Sequence, residues 1–257
     1  MKPFQFILAF LIVQFSYAQI EANLIEKLKT PRDSVVNVDN FEYLYYINHK
    51  KLLKKNPYAS FNYSNLALGK IEQINTFNPL KTYVFYKDMN ALVVLDNRFE
   101  ELATVNFNRL NELKLVSHLS PANKNFVWLY NTSTLRLELY DFIANEKTLE
   151  TNPIAENILD IESDYNYVWL LTDKKLYCYN YRGLLLYTIN NEDYTKVRAS
   201  NEHLFFKKKN NIYFYNKNTK ETQVLHIKHQ LINSFFVSQQ NLYIYELNTL
   251  FKYQINL

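Results

Sequence analysis

Histidine is the side chain most often used as a metal ligand or as a general base at neutral pH. Only His226 and His229 lie close together in this sequence, and they sit in a region of strand and turn character. On a strand, positions i and i+3 point to opposite faces, and no third ligand lies nearby. We therefore predict a surface turn here and no metal site. The five histidines are His49, His118, His203, His226 and His229.

Carboxylates and amides recur at the ends of apolar, strand-like runs. Asp96, Asp141, Asn180 and Asn216 each follow such a run. Together they could form a ring of cation ligands. However, Asp and Asn at strand ends characteristically accept hydrogen bonds from the backbone amides of the turn that follows. We interpret these four residues as turn residues.

Short catalytic motifs are absent from the sequence. It contains no nucleophile elbow, glycine-rich phosphate loop, zinc-protease helix or paired-carboxylate motif. The two glycines, Gly69 and Gly183, are too few for cradles that need close backbone approach to phosphate. The sequence predicts no catalytic residue, no metal and no cofactor, and it does not identify ligand-binding residues. A site assembled from scattered residues stays open, because it would leave no local motif.

The cysteine and the tryptophans are predicted to lie in the core. Cys178 is the single cysteine, so no intramolecular disulfide can form, and its apolar neighbours indicate a buried, inert thiol. Trp128 and Trp169 occupy equivalent positions in two apolar runs. They could form an aromatic platform for a sugar or peptide, but Val and Leu flank both, which favours burial.

The net charge of +4 is too small to indicate a nucleic-acid-binding protein. Two lysine clusters stand out, one at 50–55 and one at 207–209. Such clusters are typical of solvated turns. We predict no nucleic-acid partner.

All of these residues belong to a sequence that repeats. The clearest copy covers 167–187, where two strand-like runs flank Lys174-Lys175 and a third follows Gly183. In each copy, an apolar triplet is followed by a polar turn and a second run rich in Val, Ile, Tyr, Phe and Trp. The centres of the six triplets are 36 to 43 residues apart. They are Leu44, Val84, Val127, Val168, Leu204 and Leu242.

Four strands in about 40 residues is the repeat of a β-propeller blade. A further run precedes the triplets, as at 158–163, and a third run follows the second, as at 184–189. We predict an all-β, six-bladed propeller with four-stranded antiparallel blades over residues 34–257, forming one domain. The middle strands of a blade pack against neighbouring blades on both faces. This explains why the side chains of 167–171 are apolar on both faces of the strand.

The copy at 167–183, Tyr-Val-Trp-Leu-Leu-Thr-Asp-Lys-Lys-Leu-Tyr-Cys-Tyr-Asn-Tyr-Arg-Gly, resembles the repeats of exported propellers. These are the pyrroloquinoline-quinone-like, BamB-like and two-component-sensor families. The resemblance covers most of the chain and implies a propeller. The glycine usual between the first two strands is replaced by Lys174-Lys175, and no tryptophan pattern recurs in every blade, so a quinone cofactor is not implied.

Residues 19–33 form an N-terminal extension with two competing interpretations. Ile20, Leu24 and Leu28 recur at helical spacing and Pro31 would end the helix, which favours a helix packed on one end of the propeller. Alternatively, the segment is a strand that completes the last blade, since that blade contains only three strands before the chain stops. We predict that the first and last blades meet in a closed ring.

Residues 1–18 have the pattern of a secretory signal peptide. Lys2 precedes an apolar run over 4–15, and Ser16 and Ala18 occupy the positions expected before a cleavage site at Gln19. The run is short for a membrane span, although an uncleaved anchor is the alternative. No cysteine follows for lipidation, and no later segment is apolar enough to cross a membrane. We predict a periplasmic or secreted protein.

Three functional hypotheses follow. The first is an exported, non-catalytic scaffold, monomeric, that binds an unidentified protein partner of the bacterial cell envelope. The second is a glycan- or peptide-binding propeller that uses exposed aromatic residues. The third is a hydrolase or lyase with a site on the propeller axis, which an axial cluster of His, Asp and Glu would favour. The first is preferred, because no catalytic constellation is visible and propellers offer large rigid surfaces.

Overall fold

The computed structural model describes residues 20–30, 34–39 and 41–256. The predicted signal peptide lies outside these residues. The described chain forms six four-stranded antiparallel sheets, which we number as blades I to VI. The six-bladed, all-β propeller predicted from the sequence is confirmed.

Blade I consists of β2 (Val35–Val38), β3 (Leu44–Asn48), β4 (Lys51–Lys55) and β5 (Ser60–Tyr63). Blade II consists of β6 (Gln73–Asn75), β7 (Lys81–Tyr86), β8 (Ala91–Asp96) and β9 (Glu101–Asn106), and a 3₁₀ turn follows at Phe107–Arg109. Blade III consists of β10 (Val116–Pro121), β11 (Phe126–Asn131), β12 (Arg136–Asp141) and β13 (Glu146–Glu150).

Blade IV consists of β14 (Ile158–Ser163), β15 (Tyr167–Thr172), β16 (Lys175–Asn180) and β17 (Leu185–Asn190). Blade V consists of β18 (Lys196–Ser200), β19 (His203–Lys208), β20 (Asn211–Tyr215) and β21 (Thr222–Val224). Blade VI consists of β22 (Ser234–Ser238), β23 (Asn241–Glu246), β24 (Thr249–Ile255) and, from the start of the chain, β1 (Ala22–Lys29).

The first strands of consecutive blades, β2, β6, β10, β14, β18 and β22, contact one another and surround the propeller axis. Blades pack face to face, and each interface between neighbours contains its own hydrophobic cluster. The predicted repeat residues lie in these clusters and are buried. They are Val84, Val127, Val168, Leu204 and Leu242.

The register of blade II differs from the predicted one by two residues. In blade IV, Val168 lies opposite the residue before Asn180. In blade II, Thr82 lies opposite the residue before Asp96. Because Asp96 corresponds to Asn180, Thr82 is the equivalent of Val168. The apolar residue that the sequence pattern indicates, Val84, lies two residues further along β7. Because side chains alternate with a period of two, it still faces the same interface and is buried.

The prediction of a helix for the N-terminal extension is wrong, because residues 22–29 form β1, which pairs antiparallel with β24 from Ala22↔Ile255 to Lys29↔Thr249. The helical spacing of Leu24 and Leu28 does not decide the outcome, since both are exposed. What decides it is the backbone of β24, whose outer edge would otherwise lack hydrogen-bond partners. The strand therefore closes the ring, as the alternative interpretation required.

Tight turns join the strands, and several non-glycine residues in them adopt a left-handed backbone. Asn201 and Glu202 are both left-handed, as are Leu247 and Asn248. Two consecutive left-handed residues are typical of type I′ hairpins, whose twist matches that of the flanking strands. Among the described residues, no helix is long and apolar enough to cross a membrane.

Candidate functional site

A cavity of about 960 Å³ lies on the propeller axis. Its walls are the six first strands. At one end it is also lined by turns between second and third strands and by connections between blades, which contribute His49, Lys70, Lys87, Leu247 and Asn248. We call this end the mouth.

Equivalent positions on the first strands form two rings around the axis. Gln73 of blade II and Asp160 of blade IV occupy equivalent positions, because each pairs with the same position on the second strand of its blade. Asn75 and Glu162, which lie two residues further along the first strands, are equivalent for the same reason. The mouth ring consists of Ser34, Gln73, His118, Asp160, Lys196 and Ser234. The inner ring consists of Asn37, Asn75, Ser120, Glu162, Arg198 and Phe236.

Blades IV and V carry the acidic and basic side chains of both rings. Asp160 accepts hydrogen bonds from the backbone amide of Val197 (3.0 Å), from Arg198 (2.8 Å) and from Lys196 (3.2 Å). Glu162 lies 3.7 Å from Arg198 and accepts a hydrogen bond from the backbone of Ala199. We call Asp160, Glu162, Lys196 and Arg198 the charged wall.

The two carboxyl groups of the charged wall differ in acidity. Burial opposes ionisation of Asp160, but the positive charges of Arg198 and Lys196 outweigh it, so the pKa of Asp160 is lowered. Burial raises the pKa of Glu162 to about 7, with Arg198 opposing this shift and Asp160 adding to it. Asp160 is thus a permanent anion held in place, whereas Glu162 can gain or lose a proton near neutral pH.

His118 adjoins the charged wall from blade III. Its Nδ1 lies 3.0 Å from the Ser117 hydroxyl. Burial lowers the pKa of His118 to about 4, and the nearby Lys196 and Lys87 oppose its protonation while Asp160 favours it. The imidazole is therefore neutral at pH 7. The cavity thus contains a neutral imidazole close to the anionic Asp160 and to Lys196.

The remaining first strands are joined without charge. Gln73 donates from Nε2 to the carbonyl oxygen of Leu119 (2.7 Å) and accepts from its amide (3.3 Å). Asn37 donates to Thr76 (2.5 Å). Ser234 donates to the carbonyl oxygen of Val35 (2.9 Å). Side chains thus hold neighbouring blades together at the axis.

Aromatic residues from blades II and IV meet at the end of the axis opposite the mouth. Phe77 and Tyr165 make an edge-to-face contact with ring centroids 4.8 Å apart, although blade III lies between their blades. Asn123 of blade III donates to the carbonyl oxygen of Tyr165 (2.7 Å). Phe77 also lines the cavity, so these loops narrow it at this end.

A second candidate site is the outer edge of blade IV. Within the described part of the chain, β17 pairs with β16 alone. Its sequence, Leu-Leu-Tyr-Thr-Ile-Asn, has no charged residue. Leu184, Leu185 and Leu186 are 61%, 44% and 44% exposed, and Tyr181 and Tyr187 are also exposed. This rim patch, residues 181–187, concentrates exposed apolar side chains at one strand edge. The outer strand β1 also exposes Leu24, Ile25 and Leu28, but these are interspersed with charged residues.

The histidines that the sequence singled out are separated in the structure. His226 is exposed, whereas His229 is buried beside Glu246 (2.6 Å) and Tyr253 (2.8 Å). The predicted surface turn is therefore wrong for His229, whose ring anchors the loop onto blade VI. His203 begins β19. Among the described residues, no three His, Cys, Asp or Glu side chains are grouped so that they could hold a metal ion.

The interpretation of Asp96, Asp141, Asn180 and Asn216 as turn residues is confirmed. Each accepts hydrogen bonds from backbone amides two to four residues later. Asn56 has the same role in blade I, where it accepts from Tyr58 and Ala59. Asn56 is not recognisable from the strand pattern, because the second run of that blade is rich in lysine.

The core predictions for Cys178, Trp128 and Trp169 are confirmed. All three are buried. Burial raises the pKa of the Cys178 thiol to about 12, so it is unreactive at neutral pH. The aromatic-platform interpretation of the tryptophans is excluded by their burial.

The prediction that the lysine clusters are solvated turns is wrong for Lys54. This residue is 3% exposed, donates to the carbonyl oxygen of Asn97 (3.1 Å), and lies over the rings of Tyr43 and Tyr45. Burial lowers its pKa. Lys207 likewise donates to the carbonyl oxygen of Ile232 (2.5 Å). Aromatic faces and backbone carbonyls replace water around these cations.

The charged wall was missed by the sequence analysis, although a signal was present. Asp160 and Glu162 alternate around Ile161, and Lys196 and Arg198 alternate around Val197. Alternating charges on the first strand of a blade point toward the axis, because that strand is innermost. The positions could have been found by asking which residues the innermost strands present to the axis.

No family model matches this chain, and no curated protein matches it. Solved structures resemble it in fold. A chain in a mitotic checkpoint complex has a TM-score of 0.62 and 10% identity, and the match covers 97% of this chain and 98% of that chain. A streptogramin B lyase has a TM-score of 0.61 and 9% identity over 93% of this chain and 98% of its own. A virginiamycin B lyase from Staphylococcus aureus has a TM-score of 0.61 and 12% identity over 88% and 82%. These likenesses support the propeller fold.

Proposed function

We propose that this protein is an exported, non-catalytic interaction scaffold of the bacterial cell envelope, and that its rim patch binds an apolar segment of a protein partner. The observation that carries the proposal is the exposure of Leu185 and Leu186 on the outermost strand of blade IV and of Leu184 just before it. Apolar side chains in this number on a free sheet edge favour association, because burying them removes apolar surface from water.

Comparison with the other outer strands supports the proposal. β13 of blade III carries Lys147 and Glu150, which pair at 2.6 Å, and Arg136 pairs with Glu150 at 3.0 Å. β1 exposes Glu26, Lys27 and Lys29. Charges on an edge strand discourage pairing with another chain, and β17 has none. The outer strands β5 and β21 are also uncharged, but they are shorter and lack the exposed leucines of β17. The likeness to a chain from a mitotic checkpoint complex also favours a role in an assembly.

The proposal is tested by photocrosslinking in the native envelope. A photoreactive residue at Leu186 should form a specific crosslink that mass spectrometry assigns to one envelope protein. Leu102 is the matched control, because it lies at the equivalent register irregularity of β9 and is 51% exposed. A Leu186→Lys substitution should abolish co-purification of that partner, whereas Leu102→Lys should not. Equal crosslinking from both positions would contradict the assignment of the site to blade IV.

Export is a separate part of the proposal. The motive is the pattern of Lys2, the apolar run at 4–15 and the small residues Ser16 and Ala18. Intact-mass measurement of the protein from fractionated cells should give a chain that begins at Gln19 and lies outside the cytoplasm. Retention of residues 1–18 in a soluble cytoplasmic pool would exclude export.

A further inference from the structure

The mouth of the axial cavity carries an excess of positive charge. Lys70 and Lys87 are exposed, line the cavity and take part in no ion pair within the described part of the chain. Lys196 adds a third cation, which is shared with Asp160. Glu72 and Asp160 are the acidic residues among the described lining groups at this level, so three cations face two anions. Such a mouth attracts anions and concentrates them at the entrance.

The interior behind the mouth is suited to hydroxyl groups. Asn37 and Asn75 line the cavity, and each uses one side-chain N–H in a bond to a neighbouring blade, leaving a second donor. Glu162 adds a carboxyl group. Phe77 and Phe236 provide apolar ring surface among these polar groups. A few fixed polar groups combined with aromatic surface are typical of sites for small polar molecules, and the volume lies in the usual range.

We infer that the axial cavity binds a small hydroxylated carboxylic acid of the hexuronic acid type. Its carboxylate would lie among Lys70, Lys87 and Lys196, and its hydroxyl groups would contact Asn37, Asn75 and Glu162. This inference is independent of the rim patch, which lies on the outside of blade IV.

The charged wall favours a carboxylate over a phosphate. Arg198, whose planar fork would suit phosphate, already donates to Asp160 and to the carbonyl oxygen of Val197. Asp160 and Glu162 would repel a doubly charged group more strongly than a singly charged one. A single negative charge held near the mouth lysines avoids both carboxyl groups.

The same geometry makes binding dependent on pH. Glu162 faces Arg198 and the backbone amide of Ala199 on the next blade, and Asp160 and Asp164 of its own strand and turn. His118 of blade III lies near Asp160 and Lys196. A protonated Glu162 can donate to a hydroxyl oxygen and does not repel the ligand. Binding should therefore be stronger at pH 6 than at pH 8, and Glu162→Gln should remove most of that difference.

The experiment uses the mature protein with galacturonate as the probe and the neutral sugar galactose as its counterpart. Isothermal titration calorimetry and saturation-transfer NMR should show saturable binding of galacturonate, with galactose at least about tenfold weaker. Lys87→Gln should weaken binding about tenfold, the effect expected for losing a charge-assisted hydrogen bond. Lys174→Gln is the matched control, because this lysine is exposed in the turn after β15 but does not line the cavity.

Three results would overturn the inference. The first is the absence of saturable binding by galacturonate, glucuronate and gluconate at millimolar concentration. The second is equal binding of galactose and galacturonate, which would remove the role of the carboxylate. The third is equal weakening by Lys87→Gln and Lys174→Gln, which would indicate non-specific attraction to surface charge. Both lysines are exposed, so these variants should remain folded.

Discussion

Gln73 and Asp160 occupy equivalent positions in blades II and IV but link their blades to the next one by different chemistry. Gln73 satisfies both the amide and the carbonyl group of Leu119 with one neutral side chain. Asp160 accepts from the amide of Val197, at the position equivalent to Leu119, and also requires Arg198 and Lys196 to balance its charge.

The comparison shows that joining two blades at the axis does not require charge. A buried ion pair is costly to desolvate and is often no more stabilising than a neutral arrangement. The fold therefore gives no reason for blades IV and V to carry two acidic and two basic side chains where blade II uses amides. A ligand in the cavity would supply that reason.

The largest loss of stability is expected when a carboxylate is placed in the core without the hydrogen-bond and ion-pair partners that Asp160 has. Val168 lies on β15, the next strand of the same blade, and is fully buried. Val168→Asp should destabilise the protein by at least about 3–5 kcal/mol, because no cation or amide is available to the new charge. Urea unfolding measures the loss, with Val168→Ala as a control for lost packing alone. A variant that unfolds at the parental midpoint would show that the position is not in the core.

Removing the main cation of the charged wall should have the next largest effect. Arg198→Ala should lower the free energy of unfolding by about 2–3 kcal/mol. This is less than the loss expected when one partner of a fully buried ion pair is removed, because Arg198 borders the cavity. Adding Asp160→Asn should recover most of this loss, since an amide can link the blades as Gln73 does. A double-mutant cycle in urea unfolding measures the recovery. Additive losses in the double variant would mean that the two side chains act independently.

Removing the uncharged link between blades II and III, the Gln73 side chain, should destabilise the protein less. Gln73→Ala should destabilise the protein by about 1–2 kcal/mol, through two lost hydrogen bonds to Leu119 with no charge left unpaired. Because no titrating group is removed, the loss should be the same at pH 5 and pH 8. Thermal unfolding at both values checks this, and a loss confined to one pH would contradict the assignment of Gln73 to the neutral side of the comparison.

The smallest effect is the net pH dependence that Glu162 and His118 confer on the parent protein, because their two contributions oppose each other. The pKa of Glu162 is raised from 4.5 to about 7, so the folded state binds more protons in that range and stability falls as pH rises through it. The pKa of His118 is lowered from 6.5 to about 4, so the unfolded state binds more protons and stability rises with pH from about 4 to 6.5. The two slopes oppose each other in the parent protein.

Single variants should separate these slopes. Glu162→Gln should leave stability rising more steeply between pH 4.5 and 6.5, and His118→Gln should leave it falling between pH 4.5 and 7. The change is at most about 1.4 kcal/mol per pH unit for one proton. Urea unfolding across this range measures both slopes. Parallel curves for the parent and both variants would show that neither pKa is shifted by folding.

Sequence patterns predicted the propeller because its determinants are local. Strand periodicity, turn residues such as Asp96 and Asn180, and the repeat spacing are all visible in short windows of sequence. The cavity depends on which strand of each blade is innermost, and therefore on side chains such as Asp160 and Arg198 that are far apart in sequence. The identity of β1 as a strand was ambiguous because its partner, β24, lies at the other end of the chain.

The pairing of β1 with β24 also has a consequence for the rate of folding. The contact between Ala22 and Ile255 closes a loop that contains nearly the whole chain, and forming such a loop costs conformational entropy before it yields any stabilising contact. Proteins with contacts of this range fold slowly. Synthesis releases β1 before the other strands of the propeller, and its partner β24 only after them. Until β24 has emerged, β1 has no partner strand, and this interval is when the protein depends most on protection from aggregation.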